Sequence, residues 1–210
     1  MSPAEVYLLK IGVLALQGAF VEHEEKLNYL GAEAVQVRMP GQLEGLDGLV
    51  LPGGESTTIG KLLTSYRLLE PLERLGREGM PIFGTCAGLV LLSRQIEDGI
   101  NGQPLLNLLD VTTRRNAFGR QVESFEAELN VPALGEATVR GIFIRAPLVS
   151  RVGQEVSILA RYQGQVVAVQ QGSLLATAFH PELSDDLRFH EYFLDVVRKR
   201  RCRDGQHGHN

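Results

Sequence analysis

Cysteine is scarce in this 210-residue sequence, no long apolar run occurs, and neither charge dominates. The two cysteines, Cys86 and Cys202, lie far apart, one in a glycine-rich turn and the other in a polar tail. That argues against a structural disulfide and fits a reducing, cytoplasmic compartment. No pair of Cys or His residues has zinc-ligand spacing, so no metal site is expected. No stretch approaches the ~18 apolar residues of a membrane span. Met1 to Leu9 carries no charged-then-apolar leader pattern. The net charge of −4 leaves no overall basic footprint for nucleic acid. The basic run Arg198-Lys199-Arg200-Arg201 reads as a solvated helix end or tail. There is no internal repeat and no linker.

What is present suits one globular domain with a sizeable core: 44% hydrophobic and 22% charged residues. The first half alternates short apolar runs with helical patterns. Strands are predicted at Lys10–Leu16, Ala34–Arg38, Leu46–Leu51 and Pro81–Gly84. Helices are predicted at Phe20–Leu30, where Gly31 stands at the C-terminal cap position, and at Ala87–Ile96. Between them lies a helix with apolar residues at Ile59, Leu62, Leu63, Tyr66 and Leu69, for which Ser56, Thr57 and Thr58 offer N-caps. The second half is β-rich: Gln121–Leu129, Thr138–Ile144, Val156–Arg161, Val166–Gln170 and Leu174–Phe179, the later runs joined by short glycine-containing links that suggest hairpins. A last amphipathic helix is predicted over Asp185–Lys199, followed by a polar, disordered tail.

Strands alternating with helices imply right-handed crossovers and a sheet covered on both faces. The expected fold is α/β: a three-layer αβα, flavodoxin-like arrangement with a central mixed, mostly parallel sheet. The expected division is an N-terminal extension (1–9), one domain (10–200) and a tail (201–210).

Phe83-Gly84-Thr85-Cys86-Ala87-Gly88-Leu89 matches the pattern glycine, any residue, nucleophile, any residue, glycine, in which a strand turns sharply into a helix. The helix would aim its free N–H groups and positive dipole end at the Cys86 sulfur, favouring thiolate. The N–H of Ala87 would bind an oxyanion. Taken alone, a cysteine here is also what a tight strand-to-helix loop buries.

A thiol nucleophile needs a base, and the base an orienting group. Phe179-His180-Pro181-Glu182 follows an apolar strand, and residues two apart in extended chain share a side. Glu182 can then hold one imidazole nitrogen of His180 while the other faces the thiol. His23 and His190 fall on predicted helices beside charged residues and read as solvated. Pro52-Gly53-Gly54-Glu55-Ser56-Thr57-Thr58 lets backbone approach a ligand closely. It lacks the lysine of a phosphate loop, and Glu55 would repel phosphate. An N–H from Gly53 or Gly54 completing an oxyanion hole suits the cysteine better.

Together, P-G-G-E-S-T-T, F-G-T-C-A-G and F-H-P-E resemble the class I (triad) glutamine amidotransferases. The likeness is closest to the branch of that family serving pyridoxal 5′-phosphate (vitamin B6) synthesis, through Leu16-Gln17-Gly18-Ala19, the segment from Arg115 to Glu126 (R-N-A-F-G-R-Q-V-E-S-F-E) and Phe143-Ile144-Arg145-Ala146-Pro147. It covers Lys10 to Val197. The resemblance implies hydrolysis of L-glutamine to L-glutamate and ammonia through a Cys86 thioester. It implies glutamine contacts from Gly54, Glu55, Ser56, Arg115, Ile144 and Arg145. It puts Gln17 near the oxyanion hole, on the face that docks a (β/α)8-barrel synthase chain, and requires no cofactor of this chain's own. The triad segments span most of the domain, so the ammonia is expected to pass to that partner. Two other readings of the same residues are a different Cys-His hydrolase, such as a γ-glutamyl hydrolase, and a non-catalytic nucleotide-binding module.

Overall fold

The computed structural model describes residues 8–97, 99, 102–115 and 124–207. The chain runs through β1 (Lys10–Leu14), α1 (Phe20–Tyr29), β2 (Glu33–Val37), β3 (Gly48–Leu51), α2 (Ser56–Ser65), α3 (Leu69–Arg77), β4 (Ile82–Thr85) and α4 (Ala87–Leu92). It continues through β5 (Ser93–Ile96), β6 (Leu109–Arg114), β7 (Ser124–Leu129), β8 (Val139–Ile144), β9 (Leu148–Val152), β10 (Ser157–Tyr162), β11 (Gln165–Gln171), β12 (Leu174–Thr177) and α5 (Arg188–His207).

Ten of the described strands form one mixed sheet in the order β2-β1-β3-β4-β12-β11-β9-β6-β5, with β10 paired to β11. From β2 to β12 every neighbour is parallel. All residues of β3, β4 and β12 are buried, as strands covered on both faces must be, which is why they read as unbroken apolar runs. Adjacent residues of β4 separate the layers. The Phe83 ring meets His23 of α1 and Phe189 and Phe193 of α5. Gly84 points the other way, where a Cβ would lie 2.7 Å from the Gly88 carbonyl in α4. Helices α1 and α5 thus cover one face, and α4, packed on α2, covers the other.

The hairpin β7–β8 forms a separate two-stranded sheet. Its alternating burial marks one wet face. On the dry face Phe125 stacks on Phe143 at 4.6 Å, and Phe143 packs on Phe179 at 5.4 Å. This apolar contact holds β8 beside the chain that carries His180, and the His180 N–H donates to Ile142 O at 2.8 Å. The β10–β11 link is a two-residue turn in which Gln163 and Gly164 both have positive φ, matching the strand twist.

Several expected boundaries move. The helix expected over Ala87–Ile96 ends at Leu92: the Ser93 hydroxyl bonds Val90 O at 2.7 Å, and Ser93–Ile96 leaves to pair with β6. The helix expected through Leu69 is two helices, broken where Arg67 adopts a φ of 57°. Its first cap is Glu55 rather than Ser56, Thr57 or Thr58. The last helix extends to His207, so residues 201–207 are helical rather than a disordered tail. There Arg201 pairs with Asp47, and Arg200 bonds Glu78 O, which anchors the basic run to the sheet's end. Most of the Gln121–Leu129 strand is present as β7, while residues 116–123 of the segment from Arg115 to Glu126 lie outside the described residues. Among the described residues, no helix is long and apolar enough to cross a membrane.

Candidate active site

The site sits at the C-terminal ends of β3, β4 and β12, where open parallel sheets offer a crevice. Strand β4 ends at Thr85, and Cys86 takes φ 48°, ψ −99° before α4 begins. A non-glycine residue there is strained by roughly 1–3 kcal/mol. The turn is held by the Cys86 N–H, which donates to Thr177 O of β12 at 2.8 Å. The flanking glycines are required by proximity: a Cβ on Gly88 would overlap Leu51 O of β3. The G-T-C-A-G pattern is therefore the imprint of a helix packed directly on two strands. As the first helical residue, Ala87 leaves its N–H free of an intrahelical partner.

His180 follows β12 and is buried. Its Nδ1 lies 2.7 Å from Glu182 Oε1. Burial opposes a charge on the ring, but hydrogen bonds to Cys86 and Glu182, and attraction to both, prevail and push its pKa up to about 10. The imidazole is therefore held protonated beside the sulfur. The Cys86 sulfur is also 3.9 Å from Ile144 O.

A cavity of about 360 Å³ opens on the sulfur. It is lined by Gln17, Gly53, Gly54, Glu55, Ser56, Cys86, Ala87, Arg115, Ile144, Arg145 and His180, among others. Of the residues singled out in the sequence, Glu182 does not line it. That carboxylate is buried behind His180. Facing the sulfur across the cavity is the Gly53-Gly54 turn. Neither glycine N–H bonds another described residue, while the Glu55 N–H donates to Gln17 Oε1 at 2.8 Å. Gln17 is thus fastened to the glycine turn.

Glu55 does something the sequence did not suggest. Its carboxylate accepts from the N–H of Thr57 at 3.0 Å and of Thr58 at 2.7 Å, capping α2. Partial burial opposes its ionisation, but the bonds from Thr58 and Thr57 prevail and hold its pKa below the ordinary range. Its contribution to the cavity wall is therefore made while its oxygens serve the helix. Arg115 Nη1 donates to Thr57 Oγ1 at 3.2 Å, and Thr57 and Ser56 are joined through Gln103. Gln103, in a loop without helical or strand periodicity, gave no sign of this.

His23 and His190 are the clear correction. Both were expected to be solvated, and both are fully buried. His23 Nδ1 lies 2.9 Å from His190 Nε2, and His23 Nε2 lies 3.2 Å from Thr85 Oγ1 and 3.4 Å from Glu182 Oε2. Burial drives both pKa values down, that of His190 to about 3; the lowering at His23 also comes from His190, His180 and Lys26, and that at His190 from Lys26. The signal was periodicity: His23 shares a helical stripe with Phe20 and Leu27, and His190 with Phe193 and Val197.

A thiol, an imidazole and an N–H-bearing glycine turn meet at one cavity, with a carboxylate behind the imidazole, an arrangement suited to cysteine-hydrolase chemistry of the amidotransferase type. The chain belongs to the SNO glutamine amidotransferase family, whose model matches residues 13–199. It is 58% identical to the pyridoxal 5′-phosphate synthase subunit PdxT of Herpetosiphon aurantiacus, over 90% of this chain and all of that protein. Its identity to the subunit of the same name in Pelotomaculum thermopropionicum is also 58%, over 89% of this chain and 94% of that one. A crystal structure of a glutamine amidotransferase, 50% identical, superposes with a TM-score of 0.85 over 89% of this chain and 98% of that one.

Proposed function

We propose that this protein hydrolyses L-glutamine to L-glutamate and ammonia and hands the ammonia to a pyridoxal 5′-phosphate synthase chain. The observation that carries the chemistry is Cys86, on its strained turn, sharing one cavity with a His180 that Glu182 holds from behind. The partner is inferred from relatives named as subunits of that synthase and similar over their whole length. By the same family likeness, that partner is a (β/α)8 barrel, and Gln17 lies on the face that meets it.

The Cys86 thiolate attacks the side-chain carboxamide carbon of glutamine. The carbonyl oxygen becomes an oxyanion, for which the N–H of Ala87 and those of Gly53 and Gly54 are the donors at hand. Losing one such donor typically costs ~2.7–4 kcal/mol of barrier. His180, already charged, donates its proton to the departing nitrogen, and ammonia leaves. The resulting γ-glutamyl thioester is attacked by water, with neutral His180 taking the water's proton. Throughout, Glu182 fixes the imidazole so that Nε2 faces the sulfur. Ser56, Arg115, Ile144 and Arg145 form the wall that would hold the amino acid's polar end, with Gly54 and Glu55 beside them.

The test is glutamate release from glutamine by this chain, alone and with a pyridoxal 5′-phosphate synthase chain. Turnover that rises with the partner supports both parts of the proposal. Turnover unaffected by the partner removes the delivery step, and no turnover in either case removes the glutaminase reaction.

A further inference from the structure

The hydrogen bonds of His180 stop at Glu182, but the line of polar groups does not. Glu182 Oε1 holds His180, whereas Oε2 is buried with no hydrogen-bond partner among the described residues. A bare carboxylate oxygen in the interior is costly. Beside it lies His23, with Nε2 3.4 Å from Oε2 and hydrogen-bonded to Thr85 Oγ1 at 3.2 Å. Beyond His23 stands His190, whose Nδ1 is also buried without a partner.

These two unpartnered atoms fix where the protons lie. Orphaned buried N–H groups are rarer than unused acceptor lone pairs. The His190 proton therefore belongs on Nε2, donating to His23 Nδ1. That places the His23 proton on Nε2, toward Thr85 Oγ1 and Glu182 Oε2. The opposite arrangement would leave an orphaned N–H on His190 and point a ring lone pair at a carboxylate. Both costs favour the same assignment. Burial keeps both rings neutral, so the line carries a dipole and no charge.

We propose that His23 is a positioning residue for the hydrolase reaction, its Nε2–H steadying the Glu182 carboxylate that orients His180, with His190 setting the His23 tautomer. This rests on the triad assigned above. The contact is longer than a hydrogen bond in the resting site, and catalytic contacts often tighten only once substrate is bound. The titratable groups facing His23 are His190 of α5, His180 and Glu182 after β12, and Lys26 of α1.

The experiment uses the full chain with Cys202→Ser, so that Cys86 is the thiol that reacts. Two quantities are read against pH: glutaminase kcat/KM with the synthase chain present, and the rate of Cys86 alkylation by iodoacetamide. Without the His23 donor the Glu182 carboxylate is no longer held in line behind His180, the imidazolium loses its orientation, and the thiolate loses support. His23→Leu should lower kcat/KM roughly ten- to a hundredfold, the size of a lost hydrogen bond to a charged group. It should do so through kcat, and raise the alkylation midpoint by about one pH unit. His23→Gln, which puts an amide N–H near the place of Nε2, should recover most of both. His190→Phe should move both the same way by less. A wild-type alkylation midpoint in His23→Leu, whatever its kcat, would make His23 merely structural and overturn the proposal. So would His23→Gln behaving no better than His23→Leu. If His23→Leu does not fold, His190→Phe decides: an unchanged midpoint and rate overturn the proposal. Absence of glutamine turnover in the unsubstituted protein would defeat the function reading instead, and the alkylation profile would still report on His23.

Discussion

Gly53 and the His180 ring lie so close that no side chain fits between them: a Cβ at position 53 would overlap Cε1 and stand 2.8 Å from Nδ1. The glycine turn and the imidazole therefore share one space. Gly53→Ala should displace the ring from Glu182 or the turn from the sulfur. Overpacking of this kind costs about 1–3 kcal/mol of stability. Loss of one oxyanion donor would lower kcat by roughly a hundredfold or more. Glutaminase assay beside a thermal melt checks both; near-normal kcat in a folded variant would contradict the proximity argument.

Cys86→Ala should end ammonia release and leave the fold intact, because the change is small and the turn is held by backbone bonds. Cys86→Gly should be as inactive yet melt no lower than Cys86→Ala, since glycine relieves the positive φ. Thermal melts of the two variants side by side test this. A markedly lower melting temperature for glycine would mean that the strain is negligible.

The raised pKa of His180 has a pH consequence whose sign is definite. A histidine with an ordinary value near 6.5 unfolded and about 10 folded stabilises the fold fully below about 6.5. That contribution is lost as pH rises through about 10. The melting-temperature difference between the protein and His180→Asn should therefore shrink between about pH 6.5 and 10. A difference that grows over that window would reverse the assignment of charge in the pair. His180→Asn should also form no γ-glutamyl thioester at a useful rate, which mass spectrometry after incubation with glutamine would reveal.

Glu55→Ala removes the cap of α2 and should cost about 0.5–2 kcal/mol. Because the same helix start carries Ser56 and Thr57, KM for glutamine should rise as well. Glu55→Asp, which keeps a capping carboxylate, should recover more of the stability than of the KM. Denaturant unfolding and steady-state kinetics separate the two.

The parts of the site that were legible from sequence are those where backbone geometry demands a residue type. Gly84 and Gly88 mark a helix pressed onto strands, and His180 and Glu182 sit two apart at a strand end. The buried strands β1, β3, β4 and β12 were plain for the same reason: coverage on both faces leaves unbroken apolar runs. What was missed depends on long-range contact. Ser93 leaves its helix because β6 offers a partner, and no local pattern announces that. The cap that Glu55 gives α2 went unseen because its bonds exist only once α2 has started at Ser56. His23 and His190 were read by their charged neighbours in sequence instead of by their stripe mates Leu27 and Phe193.

The strand order has a consequence for how the site comes into being. Strand β12, late in the chain, inserts between β4 and β11 and brings His180 to a cysteine set in place by the first half. During synthesis the nucleophile emerges well before its base, and the thiol turn is itself fastened to Thr177 of the late strand. A chain that has not yet added β12 thus holds the thiol without its imidazole neighbour. Reactivity switches on with the closing of the sheet, so that catalytic competence reports on completed folding.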